Sequence, residues 1–168
     1  EVNTSALAIT STTASTTAGR AGDISITAPR YITIGGNVLA AGGDNAGTGT
    51  GGSGGAVLLS TSTRDNLLGY YTGNVSVGGY INVSGGNGRV FTAGGGSGGA
   101  AGAVSVRAGA LQVKGTSFSN GSQGSIVANG GGGTAGTGAA GTVSLSTYAV
   151  QPLPANFNLT STTASEYV

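Results

Sequence analysis

The feature that most constrains this chain is a glycine-rich run at residues 42–55 that stops abruptly at the apolar segment Ala56-Val57-Leu58-Leu59. The arrangement recurs twice. Residues 94–102 run into Ala103-Val104-Ser105-Val106, and residues 130–141 run into Thr142-Val143-Ser144-Leu145. Glycine in a helix interior costs about 1 kcal/mol relative to alanine, so a chain punctuated this way leaves no room for a long helix. The segments that follow the glycines alternate apolar and small polar residues, as a strand with one buried face requires. The expected class is therefore all-β, built of short strands and glycine loops.

Alternation continues elsewhere. In Asp23-Ile24-Ser25-Ile26-Thr27 and Tyr31-Ile32-Thr33-Ile34, the apolar residues fall at 24 and 26 and at 32 and 34. Val75-Ser76-Val77-Gly78-Gly79-Tyr80-Ile81-Asn82-Val83-Ser84-Gly85-Gly86 then lies over residues 32–43 at a constant offset of 43 positions. A weaker third copy ends at Ile126-Val127-Ala128-Asn129-Gly130-Gly131. Residues that follow a glycine and one small or acidic residue also align, from Ile24 to Val57 to Val104 to Val143, at steps of 33, 47 and 39. Loops of different length would absorb that irregular period.

Two architectures fit. In a parallel β-helix (β-solenoid) with long Gly-rich loops, like strands stack about 4.8 Å apart, and inward Val, Ile and Leu form columns. In an antiparallel β-sandwich, Gly35-Gly36 and Gly78-Gly79 would be two-residue hairpin turns. A unit repeated in register at 43 residues favours the β-helix. The chain is read as one domain, 1–168: an N-terminal edge strand and Thr/Ser tract at 1–22, a repeat body at 23–148, and a C-terminal edge strand and tail at 149–168.

Two roles compete for the glycine loops. As Gly/Ser-rich coil they would be flexible linkers. Ordering a glycine, however, costs about 0.5–1 kcal/mol more than ordering an alanine, which argues for a steric purpose. Close packing of neighbouring loops in an extended, polyproline-II-like form with hydrogen bonds between them would supply one. No Gly-Lys-Ser/Thr follows the glycines, so a phosphate cradle is not expected. Asp44 alone does not make the regularly spaced aspartates of a calcium repeat.

Chemistry is sparse. The chain has no His and no Cys, and its acids Glu1, Asp23, Asp44, Asp65 and Glu166 are dispersed. The usual general base, thiol nucleophile and most metal sites are therefore missing, and neither an enzyme nor a cofactor is expected. With a net charge of +1 and 7% charged residues, nucleic acid and membrane insertion are not expected either. A start at Glu1 without a signal-like segment reads as a mature or excised piece. The six tyrosines are candidates for a glycan-stacking platform, and the Thr-rich stretches are a weaker candidate for an ice-binding face. Asn-x-Ser/Thr sequons at Asn3, Asn74, Asn82, Asn120 and Asn158 are possible N-glycosylation sites, and the Thr/Ser tract at residues 10–17 is a candidate for O-glycosylation.

The two ends of the chain match. Ile9-Thr10-Ser11-Thr12-Thr13-Ala14-Ser15 reappears as Leu159-Thr160-Ser161-Thr162-Thr163-Ala164-Ser165, an offset of 150. Neither end reads as a charged or helical cap, and an uncapped rung presents unpaired N–H and C=O groups to a similar edge. Leu7, Ile9, Thr10, Phe157, Leu159 and Thr160 are accordingly the candidate assembly interface, and the expected partner is a second copy joined head to tail in a homopolymer. Surface glycans are the alternative partner.

The motifs Gly22-Asp23-Ile24-Ser25-Ile26-Thr27-Ala28 and Ile32-Thr33-Ile34-Gly35-Gly36-Asn37-Val38-Leu39-Ala40-Ala41-Gly42-Gly43 resemble repeats of filamentous-haemagglutinin-like bacterial surface proteins. The resemblance covers roughly residues 21–145. It implies a secreted right-handed parallel β-helix at the cell surface, used in adhesion and biofilm contact, and it brings no catalytic residues. The glycine loops are longer and the period less even than in that family.

Overall fold

The computed structural model describes residues 2–4, 17–64, 71–88, 95–115, 117–119, 122–150, 159–160 and 163–167. Among these residues the protein is all-β, strand-rich and without a helix.

Five short strands, β1 (Val2–Asn3), β4 (Val38–Leu39), β7 (Ile81–Asn82), β11 (Ile126–Val127) and β13 (Leu159–Thr160), form one parallel sheet in that order. A second, larger parallel sheet holds β2 (Ile24–Ala28), β5 (Val57–Thr61), β8 (Val104–Val113), β12 (Thr142–Val150) and β14 (Thr163–Tyr167), and it also includes β3 (Tyr31–Ile34) and β6 (Asn74–Val77). The ten-residue β8 pairs with β5 along its first half and with β6 along its second. In the two layers before β8 the same course is broken into two strands, by Pro29-Arg30 between β2 and β3 and by residues 62–73 between β5 and β6. The remaining pair, β9 (Ser117–Ser119) and β10 (Ser122–Gly124), is a small antiparallel excursion.

The chain thus passes repeatedly from the small sheet through a glycine segment to the large sheet and back, each pass adding one strand to both. We number these passes as layers one (β1, β2, β3), two (β4, β5, β6), three (β7, β8), four (β11, β12) and five (β13, β14). Register follows the spacing read from the sequence. Ile24 pairs with Val57, Val57 with Val104 and Val104 with Val143, while Ile32 stands opposite Val75 and Val38 opposite Ile81. The antiparallel alternative fails at its turns. Gly35-Gly36 and Gly78-Gly79 do not close hairpins, because β3 pairs with β6 and β4 with β1 and β7, all parallel.

The period-two pattern places the core between the two sheets. Ile24, Val57, Val104 and Val143 form one buried column, and Leu59, Val106 and Leu145 form another. Val38, Ile81 and Ile126 face them from the small sheet. Burying one such side chain contributes about 1.5–3 kcal/mol. The core is narrow, and much of the chain stacks outside it.

That outer part is a ridge. Outbound limbs (residues 40–45, 83–88 and 128–133) and return limbs (18–22, 50–55, 97–102 and 136–141) are joined by hydrogen bonds of period three. On the return limbs, the N–H groups of Ala18 and Ala21 donate to Thr50 and Ser53 one layer up, those of Gly51 and Gly54 to Ser97 and Ala100, and those of Gly98 and Ala101 to Gly136 and Ala139. The next residue in each triplet turns to the outbound limb of its own layer, as in Gly52 to Gly43, Gly99 to Gly86 and Gly138 to Gly131. Three residues per turn is the repeat of polyproline II. The close-packing expectation therefore describes these limbs, and the flexible-linker expectation does not.

The triplets explain where glycine is needed. Each second position on the return limbs, at 19, 22, 52, 55, 99, 102, 138 and 141, is glycine. A Cβ on Gly99 would come 2.0 Å from the Gly52 carbonyl oxygen in the layer below, and one on Gly138 would come 1.8 Å from that of Gly99. Third positions such as Ala56, Ala103 and Thr142 are exposed and carry side chains. Gly99→Ala is therefore expected to cost about 3 kcal/mol, while Ala103→Ser should stay within about 0.5 kcal/mol of wild type. Urea denaturation of the two variants checks both.

Candidate assembly surface

The third residue of each ridge triplet has an N–H that neither limb satisfies, and side chains one layer below accept several of them. Asp44 Oδ1 accepts from the Asn87 N–H at 2.6 Å, and Asn87 Oδ1 accepts from the Gly132 N–H at 2.9 Å. On the return limb, Asp23 Oδ1 accepts from the Ala56 N–H at 2.8 Å and from Arg20 at 2.9 Å. Asn37 Oδ1 does the same for the Tyr80 N–H at 3.2 Å. These four side chains link one layer to the next. Sequence reasoning weighed Asp44 only as a calcium ligand. The available signal was the 43-residue offset, which sets Asp44 over Asn87 and Asn37 over Tyr80.

Among the described residues, both ends of the stack are sheet edges. At the lower end, β1, β2 and β3 each have a described parallel partner on one side only, and at the upper end so do β13 and β14. Of the candidate interface residues, Leu159 and Thr160 form β13, in register with Ile126 and Val127. Leu7, Ile9, Thr10 and Phe157 lie outside the described residues. The small-sheet column that ends at Leu159 begins at Val2. In the large sheet, Ala164 stands over Val143 and Glu166 over Leu145, so an ionisable residue holds the last register place above Leu59, Val106 and Leu145.

Layer five has two residues between β13 and β14, where the layers beneath carry whole ridge limbs. No described strand or limb lies over residues 128–141. Among the described residues, the N–H groups of Gly130, Gly133, Thr137 and Ala140, whose counterparts in lower layers donate upward, have no partner. Beside the return limbs runs a shallow groove of about 400 Å³, lined by Arg20, Ser53, Ala56, Ala103 and Thr142 among others.

On the large sheet's side, Tyr31 is 67% exposed. The Arg64 guanidinium lies 4.5 Å from the Tyr71 ring centroid and donates to the Tyr71 hydroxyl at 2.8 Å. That hydrogen bond, opposed by partial burial and reinforced by the charges of Arg64 and Arg107, holds the Tyr71 phenol below its usual pKa. Asp65, next in sequence, lies outside the described residues. Among the sequons, Asn3 and Asn74 are exposed. Asn82 is half-buried, with its Oδ1 accepting from the Ser84 N–H at 3.0 Å. Asn120 and Asn158 lie outside the described residues. No group of three or more His, Cys, Asp or Glu that could hold a metal occurs among the described residues.

No family model, curated protein or solved structure matches the chain.

Two outcomes follow from these contacts. Asp44→Ala should lose about 1 kcal/mol of stability, and Asp44→Asn should retain most of it, since an amide oxygen accepts as Asn87 does; thermal unfolding distinguishes the two. A lowered phenol pKa means that the folded state favours the ionised ring. The resulting stability is complete only above the unfolded value of about 10, fades as pH falls through the lowered folded value, and is absent at neutral pH. Absorbance titration near 295 nm should show one tyrosine ionising early, and Tyr71→Phe should remove it.

Proposed function

We propose that this chain is a parallel β-helix that serves as a structural subunit or segment of an extracellular filament or surface layer, assembling end to end by β-strand addition. The observation that carries the reading is the pairing pattern. The layers are parallel and in register, and the strands at both ends have a neighbour on one side only among the described residues. Strand edges of this kind recruit similar strands, and a head-to-tail contact that does not close on itself gives a filament.

Cohesion in this reading is mechanical. Backbone hydrogen bonds and apolar columns hold successive layers, and a low-charge exterior of small residues covers them. The partner is the chain itself, and no catalytic step is involved. The resemblance to filamentous-haemagglutinin-like surface proteins supports the same setting, outside the cell or on its surface. A second reading, an adhesin segment that contacts surface glycans, draws on the exposed Tyr31 ring and on the Arg64–Tyr71 pair, since tyrosine offers an apolar face with a polar tip.

Electron microscopy of the purified protein should show long uniform fibres. A variant lacking residues 1–14 should fail to form them. Monodisperse wild-type monomers that bind a specific glycan would replace the filament reading with the adhesin.

A further inference from the structure

We infer that the top of layer four is the seat for layer one of a second copy of this chain, and that β13 and β14 hold that seat in the free subunit as a cap which the second copy displaces. The inference rests on the filament reading and specifies its joint.

Layer five covers only part of what lies beneath it. β13 follows the two residues of β11, and β14 follows the first five of β12. Among the described residues, no strand pairs with Ala149 or Val150 from above, and nothing accepts from the N–H groups of Gly130, Gly133, Thr137 and Ala140. The covered part is also poorly matched. Ala164 and Glu166 stand over Val143 and Leu145, in register places that hold Ile24 and Ile26 in layer one, Val57 and Leu59 in layer two, and Val104 and Val106 in layer three.

Layer one supplies what is missing. Set on layer four in the register of the internal layers, it places Val2 over Ile126, Ile24 over Val143, Ile26 over Leu145 and Ile32 over Val150. Its return limb brings acceptors as well. Thr50 and Ser53 accept from Ala18 and Ala21 in the layer below, as Gly136 and Ala139 accept from Gly98 and Ala101. The matching carbonyls of layer one belong to Thr17 and Arg20, and no described residue donates to either. In the seated copy they fall over the N–H groups of Thr137 and Ala140.

The underside of layer one is also built like an internal surface. Val2 and Ile26 are half-buried there, whereas Val38 and Leu59, their counterparts in layer two, are fully buried. In the column Gly22, Gly55, Gly102 and Gly141, a Cβ on the upper three would lie 2.1, 2.0 and 1.8 Å, respectively, from the carbonyl oxygen of the glycine one layer below. A Cβ on Gly22 would come no closer than 3.4 Å, to Thr4 Cβ. Gly22 has no positive φ, so nothing in the isolated subunit offsets the chain entropy that a glycine loses on folding. Seated on layer four, it lies over the Gly141 carbonyl and has the same steric reason as its counterparts.

The cap and the second copy compete for one surface. β13 and β14 offer two short strands, while layer one offers β1, a ridge limb, β2 and β3. The exchange therefore trades fewer backbone and apolar contacts for more, and until it occurs the cap covers edges that would otherwise recruit strands.

The chain has no cysteine, which makes the cap testable with a disulfide. Ser144 and Ser165 are register partners in neighbouring strands, about 4.8 Å apart, a separation that a disulfide spans. Ser144→Cys/Ser165→Cys, oxidised as a monomer, locks β14 onto β12. The control Ser105→Cys/Ser144→Cys sets the same bond between layers three and four and leaves the seat free. Sedimentation of fibres should show the critical concentration of the locked variant raised at least tenfold and restored by a thiol reductant, with the control unchanged by either treatment. Gly22→Ala should unfold as a monomer at or above the wild-type temperature, yet raise the critical concentration at least tenfold.

A locked variant that forms fibres at the wild-type concentration would overturn the seat and leave the filament standing, with its joint on layer five. A control that loses its fibres as completely as the locked variant would overturn it too, and so would Gly22→Ala fibres that form as readily as wild type. Protein that stays monomeric at every concentration, both as wild type and with residues 159–168 removed, would overturn both readings.

Discussion

The structure depends on how closely two backbones can approach when no Cβ stands between them. In an ordinary parallel sheet, hydrogen bonds run in one plane and side chains fill the space above and below. In the glycine ridge the limbs bond in two directions, to the layer above and to the opposite limb. Gly51 and Gly52 show the division, one donating to Ser97 and the other to Gly43. Such a lattice closes only where carbonyl oxygens can occupy the volume that a methyl group would take. Each glycine adds about 0.5–1 kcal/mol to the entropic cost of folding. A backbone hydrogen bond contributes about 1 kcal/mol net, so the two terms are of similar size, and the ridge holds because nearly every glycine is tied to a neighbour.

This constraint also accounts for the composition. A ridge that coheres through its own backbone needs neither a large apolar core nor ion pairs, and one salt bridge, Arg20–Asp23, is found among the described residues, with side chains 63% and 56% exposed. An exposed pair of that kind adds little stability. The acid contributes more as an acceptor for the Ala56 N–H, since it links two layers. The apolar columns have a complementary task. They fix register, because a strand slipped by one residue would turn Ile24 and Ile26 away from the core and expose them. The ridge alone, with near-identical triplets, could slide by three residues at modest cost; the columns prevent it.

Much of this was legible in the sequence. The alternation of Ile24, Ile26, Ile32 and Ile34 and the 43-residue offset gave the strands and their neighbours, because side-chain period and layer spacing are written directly into residue order. The irregular steps from Ile24 to Val143 were equally informative, since loop length varies while the strands keep their register. The internal order of the ridge was not legible at the same level. Gly51-Gly52-Ser53-Gly54-Gly55-Ala56 reads equally as a flexible linker and as two lattice triplets, and only the positions of neighbouring carbonyls separate the two. The layer-linking role of Asp44 was not legible for the same reason. Its partner is a backbone N–H, which leaves no trace in residue type. Of the end match at residues 9–15 and 159–165, the N-terminal half falls outside the described residues, and the structure sets Val2 at the start of the column that Leu159 ends.

The two ends of the stack are not equivalent, and this bears on how a filament of such subunits would behave. At the lower end the large sheet finishes with Ile24, Ile26, Ile32 and Ile34; at the upper end its columns finish with Ala164 and Glu166. Those two register places hold no Val, Leu or Ile, whereas every layer beneath has one at each. The ridge is also interrupted there: layer five passes from β13 to β14 in two residues, and no described residue accepts from the N–H groups of Gly130, Gly133, Thr137 and Ala140. The contacts among layers one to four combine full columns with ridge bonding, whereas layer five, and any joint built on it, has shorter columns and a gap in the ridge. In the proposed filament a joint built on layer five is therefore weaker than the contacts among layers one to four, and the concentration at which fibres form on such a joint is set by those few strands rather than by the stability of the subunit.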